Sequence, residues 1–218
     1  MYESPRDRRL KSDLQALERL IQQSSILDFN ALDNPATRYI ISFKGKGLMQ
    51  PANSEKVLIQ EFHEVEIRLG INYPRSKPDL KWKTPIFHPN ISALGQVCLG
   101  GYSTHWVPSL NLDELAEMLW DMVRFSNFDV KSPYNYKSAR WVDRQKEYTF
   151  PLDDRPLRDL VAAGIVNEHG EPIGPNAPQR GKRDKPTSEI MFIEDTDSGS
   201  DTQADKNPAE DVFYIGED

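Results

Sequence analysis

The sequence predicts an α+β domain, with helices packed on one face of an antiparallel sheet, followed by a polar remainder. Three observations carry this. A four-three-four spacing of leucine and isoleucine opens the chain, period-two alternation follows, and helical spacing returns only after some 25 residues without period. Leu10, Leu14, Leu17 and Ile21 share one face of a helix expected from Pro5 to Gln23, whose first turns carry Arg6, Arg8, Arg9 and Lys11. Tyr39, Ile41 and Phe43 alternate with Ile40, Ser42 and Lys44, and Val65, Ile67 and Leu69 alternate with Glu64, Glu66 and Arg68, as in strands with one buried face. Gly45-Lys46-Gly47 reads as the turn of a compressed meander, and Leu80 and Trp82 continue the alternation past a proline-bounded corner from Tyr73-Pro74 to Pro78. Beyond the loop from Thr84 to Pro108, Asn111 and Glu114 form a capping signal for a helix burying Leu112, Leu115, Leu119 and Met122. A last core helix is expected from Tyr136 to Tyr148. Asp153-Asp154, Arg155-Pro156 and Gly164 then supply cap, early proline and terminal glycine for one short helix. The expected organisation is a core over 1–150, a short helical extension over 151–166, and a flexible linker with an acidic tail over 167–218.

Composition narrows the function classes. The formal charge of the 218 residues is −7, but nine acidic residues and one basic residue lie from Glu194 onward, leaving one net positive charge over residues 1–193. Such a body offers no broad nucleic-acid surface. A single cysteine excludes an intrachain disulfide, and four scattered histidines lack the spacing of a zinc cage, so no metal is expected. Apolar runs far shorter than a membrane span and the lack of a basic-then-apolar leader point to a cytoplasmic protein without membrane contact.

The chemistry concentrates in the unperiodic loop. A lone cysteine in a core would be inert, but here three neighbours stand at fixed offsets. His88-Pro89-Asn90-Ile91 places asparagine eight residues before Cys98, Gly95-Gln96-Val97-Cys98-Leu99 surrounds it, and Trp106-Val107-Pro108 places tryptophan eight residues after. With Tyr73-Pro74 and Pro78 upstream, the pattern over residues 5–148 closely resembles the ubiquitin-conjugating enzyme family, and it fits a divergent member, a prokaryotic conjugation pathway among the settings.

The resemblance implies a UBC-like fold: an N-terminal helix, a four-stranded antiparallel meander, a long active-site loop and C-terminal helices. It implies that Cys98 accepts ubiquitin or a ubiquitin-like protein as a thioester from an activating enzyme and passes it to a lysine or other amine of a protein substrate. ATP is used by the activating enzyme, so no cofactor is expected here. Thioester exchange by a thiolate needs no protease-type histidine base. Asn90 matches the asparagine that either donates to the oxyanion formed on amine attack or braces the active-site loop. Ser132, or its rival Asp129, matches the residue that assists deprotonation of the incoming lysine, with Tyr134 lining the acceptor channel. His88 and Pro89 are structural by the same resemblance, Leu99 and Gly100 continue the loop, and Gly100 with Gly101 replaces a commonly acidic position. His105 is expected at the surface. Arg6, Arg8, Arg9 and Lys11 fall where the activating enzyme docks. Arg75, Val107 and Pro108 fall where a RING-type ligase docks, with Arg75 replacing a usual apolar anchor.

Two apolar tetrads set in acid, one containing Ile190, Phe192 and Ile193 and one containing Val212 and Ile215, look like segments that add a strand to a modifier's sheet while flanking acids meet a basic rim. The reading from another class is a non-catalytic scaffold that binds modifiers, against which stand Cys98 and Asn90. A cysteine hydrolase would need Cys98 paired with His88 or His105.

Overall fold

The computed structural model describes residues 3–99 and 106–173. Helix α1 (Pro5–Gln23) begins at a capping box in which Ser4 and Asp7 satisfy each other's backbone N–H, with Pro5 in the first turn. Its buried stripe runs through Leu10, Asp13, Ala16, Leu17 and Leu20, whereas Leu14 and Ile21 sit at the margin. The stripe thus contains a carboxylate that hydrophobic spacing alone does not reveal.

Strands β1 (Leu27–Ala31), β2 (Arg38–Met49), β3 (Leu58–Arg68) and β4 (Asp79–Trp82) form one antiparallel sheet in sequence order. Tyr39, Ile41 and Phe43 pair with Ile67, Val65 and His63, and the alternation buries this face against α1 and against α2 (Leu112–Val123). The meander is not compressed, because Gly45-Lys46-Gly47 is not its turn. Strand β2 runs on through an irregularity in register between Lys44 and Gly47, and the turn comes at Pro51 to Ser54. The glycine has a packing reason: a Cβ on Gly47 would lie 2.6 Å from the imidazole of buried His63.

Helix α2 starts at the expected capping box of Asn111 and Glu114 and sends Leu112, Leu115, Leu119, Trp120 and Met122 inward. Helix α3 (Tyr136–Arg144) stops short of Tyr148, because Gln145 turns extended and its side chain bonds the backbone of Tyr148. A second small core lies behind it, where Leu48, Val57, Phe87 and Phe125 are packed by Phe128, Trp141, Tyr148 and Phe150.

Past Phe150 the short helix α4 (Asp159–Ala162) starts later than its sequence signal suggests. Asp153 does not cap it but holds Arg155 and the backbone of Lys46. Leu157 is buried in the main core, Arg158 pairs with Asp113 and Glu117 of α2, and Asp159 accepts from Ser25. Residues 167–173, the start of the stretch expected as linker, form a turn held by Asn167 and Glu171, with Gln23 donating to the carbonyl of Glu168.

Candidate active site

The loop carrying the cysteine is a narrow hairpin stitched onto β4. Lys81 bridges to Gln96, Ile91 bridges to Val97, and Trp82 N donates to Gly95 O at 2.7 Å. Gly95 takes φ +80°, and a Cβ there would lie 2.2 Å from the Trp82 carbonyl, so only glycine lets the hairpin close on the sheet. The closure is completed by Cys98 N, which donates to Asn90 O at 2.9 Å. Cys98 is a free, partly exposed thiol at the end of this hairpin.

Asn90 is buried, and its side chain is committed. Its Oδ1 accepts from Asp129 N at 2.7 Å, and its Nδ2 donates to Asp129 O at 2.9 Å and lies 3.5 Å from Ser132 O. The carbonyl of Pro89 accepts from both Tyr134 N and Asn135 N at 2.9 Å. His-Pro-Asn therefore acts as a clamp that fixes residues 129–135 beside Cys98. Of the two roles the resemblance allows Asn90, this geometry is that of loop bracing. His88 holds the turn from within by accepting from Asn90 N, and complete burial pushes its imidazole down to about 3, opposed only by a backbone bond with Asn127. It is a neutral structural residue, not a base for Cys98.

Cys98, Asp129, Ser132 and Tyr134 line one open groove of about 950 Å³, together with Leu99, Trp106 and residues of β3 and β4. The structure thus brings the expected nucleophile and both proton-acceptor candidates to one cavity. Asp129 Oδ1 accepts from Lys131 N, which aims the carboxylate along its own turn. Sequence reasoning missed Leu94, 79% exposed on the groove rim, although a leucine in the polar turn Ser92 to Gly95 was a visible signal. At its far end the groove meets Glu66, which is buried beneath Arg38, Arg68 and Lys83. Its hydrogen bonds to Arg68 and Arg38 hold the carboxyl down to about 2.

The residues expected at partner surfaces separate into two kinds. Arg9 is internal: it pairs with buried Asp13 at 2.8 Å, donates to Pro108 O at 2.6 Å and to Leu110 O, and lies over the Tyr73 ring. Asp13 also accepts from Tyr73 O–H at 2.6 Å and from Leu112 N at 3.2 Å, so one carboxylate ties α1, the Tyr73-Pro74 corner and the start of α2 together. Trp106 locks the same corner by donating to Pro74 O. Arg6 is half-buried, whereas Arg8 and Lys11 are exposed, the latter beside Glu3. Arg75 and Val107 are exposed, and the carbonyl of Pro108 is taken by Arg9. Ile71, 81% exposed two residues before Tyr73, is an apolar residue at this corner that the sequence reading passed over. Gly100, Gly101, His105 and the tail residues Ile190, Phe192, Ile193, Val212 and Ile215 lie outside the described residues.

Comparison with known proteins points to one family. Residues 46–152 match the family model described as ubiquitin-conjugating enzyme. The chain is similar to ubiquitin-conjugating enzyme E2 T of Bos taurus, 26% identical over 55% of this chain and 66% of that protein. It is also similar to ubiquitin-conjugating enzyme E2 16 of Schizosaccharomyces pombe, 35% identical over 48% of this chain and 64% of the relative. A probable NEDD8-conjugating enzyme Ubc12-like of Arabidopsis thaliana is 34% identical over 46% and 51%. The matches thus span between half and two thirds of these relatives' own length. The solved structure of S. cerevisiae Ubc12 shares the fold, with TM-score 0.51 and 20% identity over 67% of this chain and 76% of that one. Residues 46–152 thus match the ubiquitin-conjugating enzyme family, and the sheet and helices described above have the fold of that family.

Proposed function

We propose that this chain accepts ubiquitin or a ubiquitin-like protein on Cys98 and transfers it to an amine. The observation that carries the reading is the partly exposed Cys98 thiol, fixed by its own backbone bond to Asn90 and sharing one groove with Asp129, Ser132 and Tyr134. In the first step the Cys98 thiolate attacks the thioester carbonyl delivered by an activating enzyme. A new C–S bond forms as the old one breaks, and the proton lost by Cys98 is regained by the departing thiol. In the second, an amine attacks the Cys98 thioester, the thiolate leaves, and the amine's proton passes to solvent or to the carboxylate of Asp129, with the Ser132 hydroxyl able to accept the amine's hydrogen bond and relay the proton to solvent. No cofactor enters either step, since activation of the modifier consumes ATP elsewhere. The names of relatives divide between ubiquitin and NEDD8, so both are the modifiers to test first.

Arg8, and Lys11 beside Glu3, are exposed cations at the start of α1 offered to an activating enzyme, and Arg75, Val107 and Ile71 present the ligase-facing corner, in a protein that acts in the cytoplasm. The acid-flanked tetrads around Ile190 and Val212 extend the reading to non-covalent modifier binding. Deleting residues 187–218 then weakens that binding in a titration while leaving Cys98 loading intact, and unchanged affinity removes the tail from the account. Incubation with activating enzyme, ATP and modifier, followed by a non-reducing gel, tests the core reading. A thiol-sensitive adduct that Cys98→Ala abolishes supports it, and an adduct that survives the substitution sinks it.

A further inference from the structure

Helix α3 carries Lys137, Arg140 and Arg144 along one face, and with Phe87, Trp141 and Glu55 they line a second groove of about 530 Å³. Its floor is aromatic, with the ring of buried Phe87 set edge-on to Trp141 at 5.8 Å. Its rim is cationic. Lys137 pairs with Glu55 at 3.1 Å, whereas Arg140 and Arg144 are exposed and pair with no carboxylate among the described residues.

We propose that this groove docks an acidic peptide segment of a partner protein, one apolar side chain followed by carboxylates at alternate positions. Arg140 and Arg144 are four residues apart on a helix, which separates them by about 6 Å along its axis. Alternate residues of an extended chain face one side at about 6.6–6.8 Å, so two carboxylates meet two guanidinium forks that bind carboxylate bidentately. The apolar side chain that precedes the carboxylates enters the aromatic floor formed by Phe87 and Trp141. A nucleic acid is a poorer occupant, because Glu55 stands on the rim and residues 1–193 carry one net positive charge, too little for a phosphate track. The groove shares no lining residue with that of Cys98, yet Phe87 directly precedes His88-Pro89-Asn90 and Lys137 follows Tyr134 by three residues. A segment held here therefore docks next to the clamp without occupying the reaction groove, and its binding does not depend on the thiol of Cys98.

The test is fluorescence anisotropy of a fluorescein-labelled peptide in which one leucine precedes two glutamates at alternate positions in a glycine-serine background. It is titrated with the full chain and with an Arg140→Glu, Arg144→Glu double variant. Both positions are exposed, so the variant is expected to melt as the parent does. The expected result is saturable binding that weakens about tenfold or more in the double variant, weakens again when leucine is replaced by serine, and is recovered by the double variant for a peptide carrying lysines in place of glutamates. Equal binding by parent and variant, indifference to the leucine, absence of saturation up to about 1 mM, or tighter binding of a single-stranded oligonucleotide than of the peptide each overturns the proposal.

Discussion

Replacing Asn90 by alanine separates the two roles open to this residue. In the structure the side chain gives Asp129 both an acceptor for its N–H and a donor for its carbonyl, at 2.7 and 2.9 Å. Removing the amide leaves two backbone groups without partners, each costing about 1–3 kcal/mol where water cannot replace the bond. Asp129 is partly exposed, so the lower half of the summed range applies, about 2–4 kcal/mol. For a folded unit of this size that lowers the melting temperature by roughly 4–16 °C. The assay is thermal unfolding followed by circular dichroism, joined to hydrogen exchange of the Asp129 amide, which is expected to lose its protection. Amine transfer falls because Asp129, Ser132 and Tyr134 lose their fixed position, while loading of Cys98 is expected to persist, since the Cys98 backbone bond uses the Asn90 carbonyl that alanine retains. An unchanged melting temperature with unchanged Asp129 protection would refute the clamp and return Asn90 to the role of oxyanion donor.

Asp13→Ala strands the Arg9 guanidinium and removes the acceptor for Tyr73 and Leu112 N, so urea unfolding is expected to show a loss of about 3–5 kcal/mol; a loss under about 1 kcal/mol contradicts the network. Leu157→Ala opens a cavity in the main core and is expected to cost about 2–5 kcal/mol in the same assay, a cost absent if the folded unit ends at Phe150. Burial holds His63 down to about 4 and His88 down to about 3, so between pH 6.5 and these values the unfolded chain binds protons that the native one does not. Stability therefore falls on acidification, by about 2–3 kcal/mol per histidine between pH 6.5 and 4.5. The bonds that hold Glu66 down to about 2 weaken only further below, from about pH 4.5 downward. A flat stability profile from pH 7 to 4.5 contradicts the neutral burial of both imidazoles.

Much of this architecture was legible because it is periodic. The alternation at Tyr39 to Phe43 and Val65 to Leu69, the helical spacing of α1 and the capping box of α2 all stand where the residues place them. Strand β1 was not legible, because Leu27–Ala31 buries only Leu27 fully and five residues are too short for a period. Gly45-Lys46-Gly47 misled because glycine marks backbone freedom without saying whether it serves a turn or the approach of a neighbour such as His63. Arg9 reads from the sequence as a docking cation and Asp13 gives no signal, since their partners at Pro108, Leu110 and Leu112 are about a hundred residues away in sequence. At the site, Asn90 and Cys98, eight residues apart, meet across one hairpin, but spacing is the same whether the asparagine side chain faces a substrate or braces a loop. Only the position of Asp129 distinguishes them.

The central claim is that Cys98 carries the modifier, and intact-mass measurement tests it most directly. After incubation with an activating enzyme, ATP and ubiquitin or a ubiquitin-like protein, the account predicts one added modifier on the parent chain, released by thiol. It also predicts a thiol-resistant ester on Cys98→Ser and no addition on Cys98→Ala. An addition that is thiol-resistant on the parent chain, or that persists in Cys98→Ala, would contradict it.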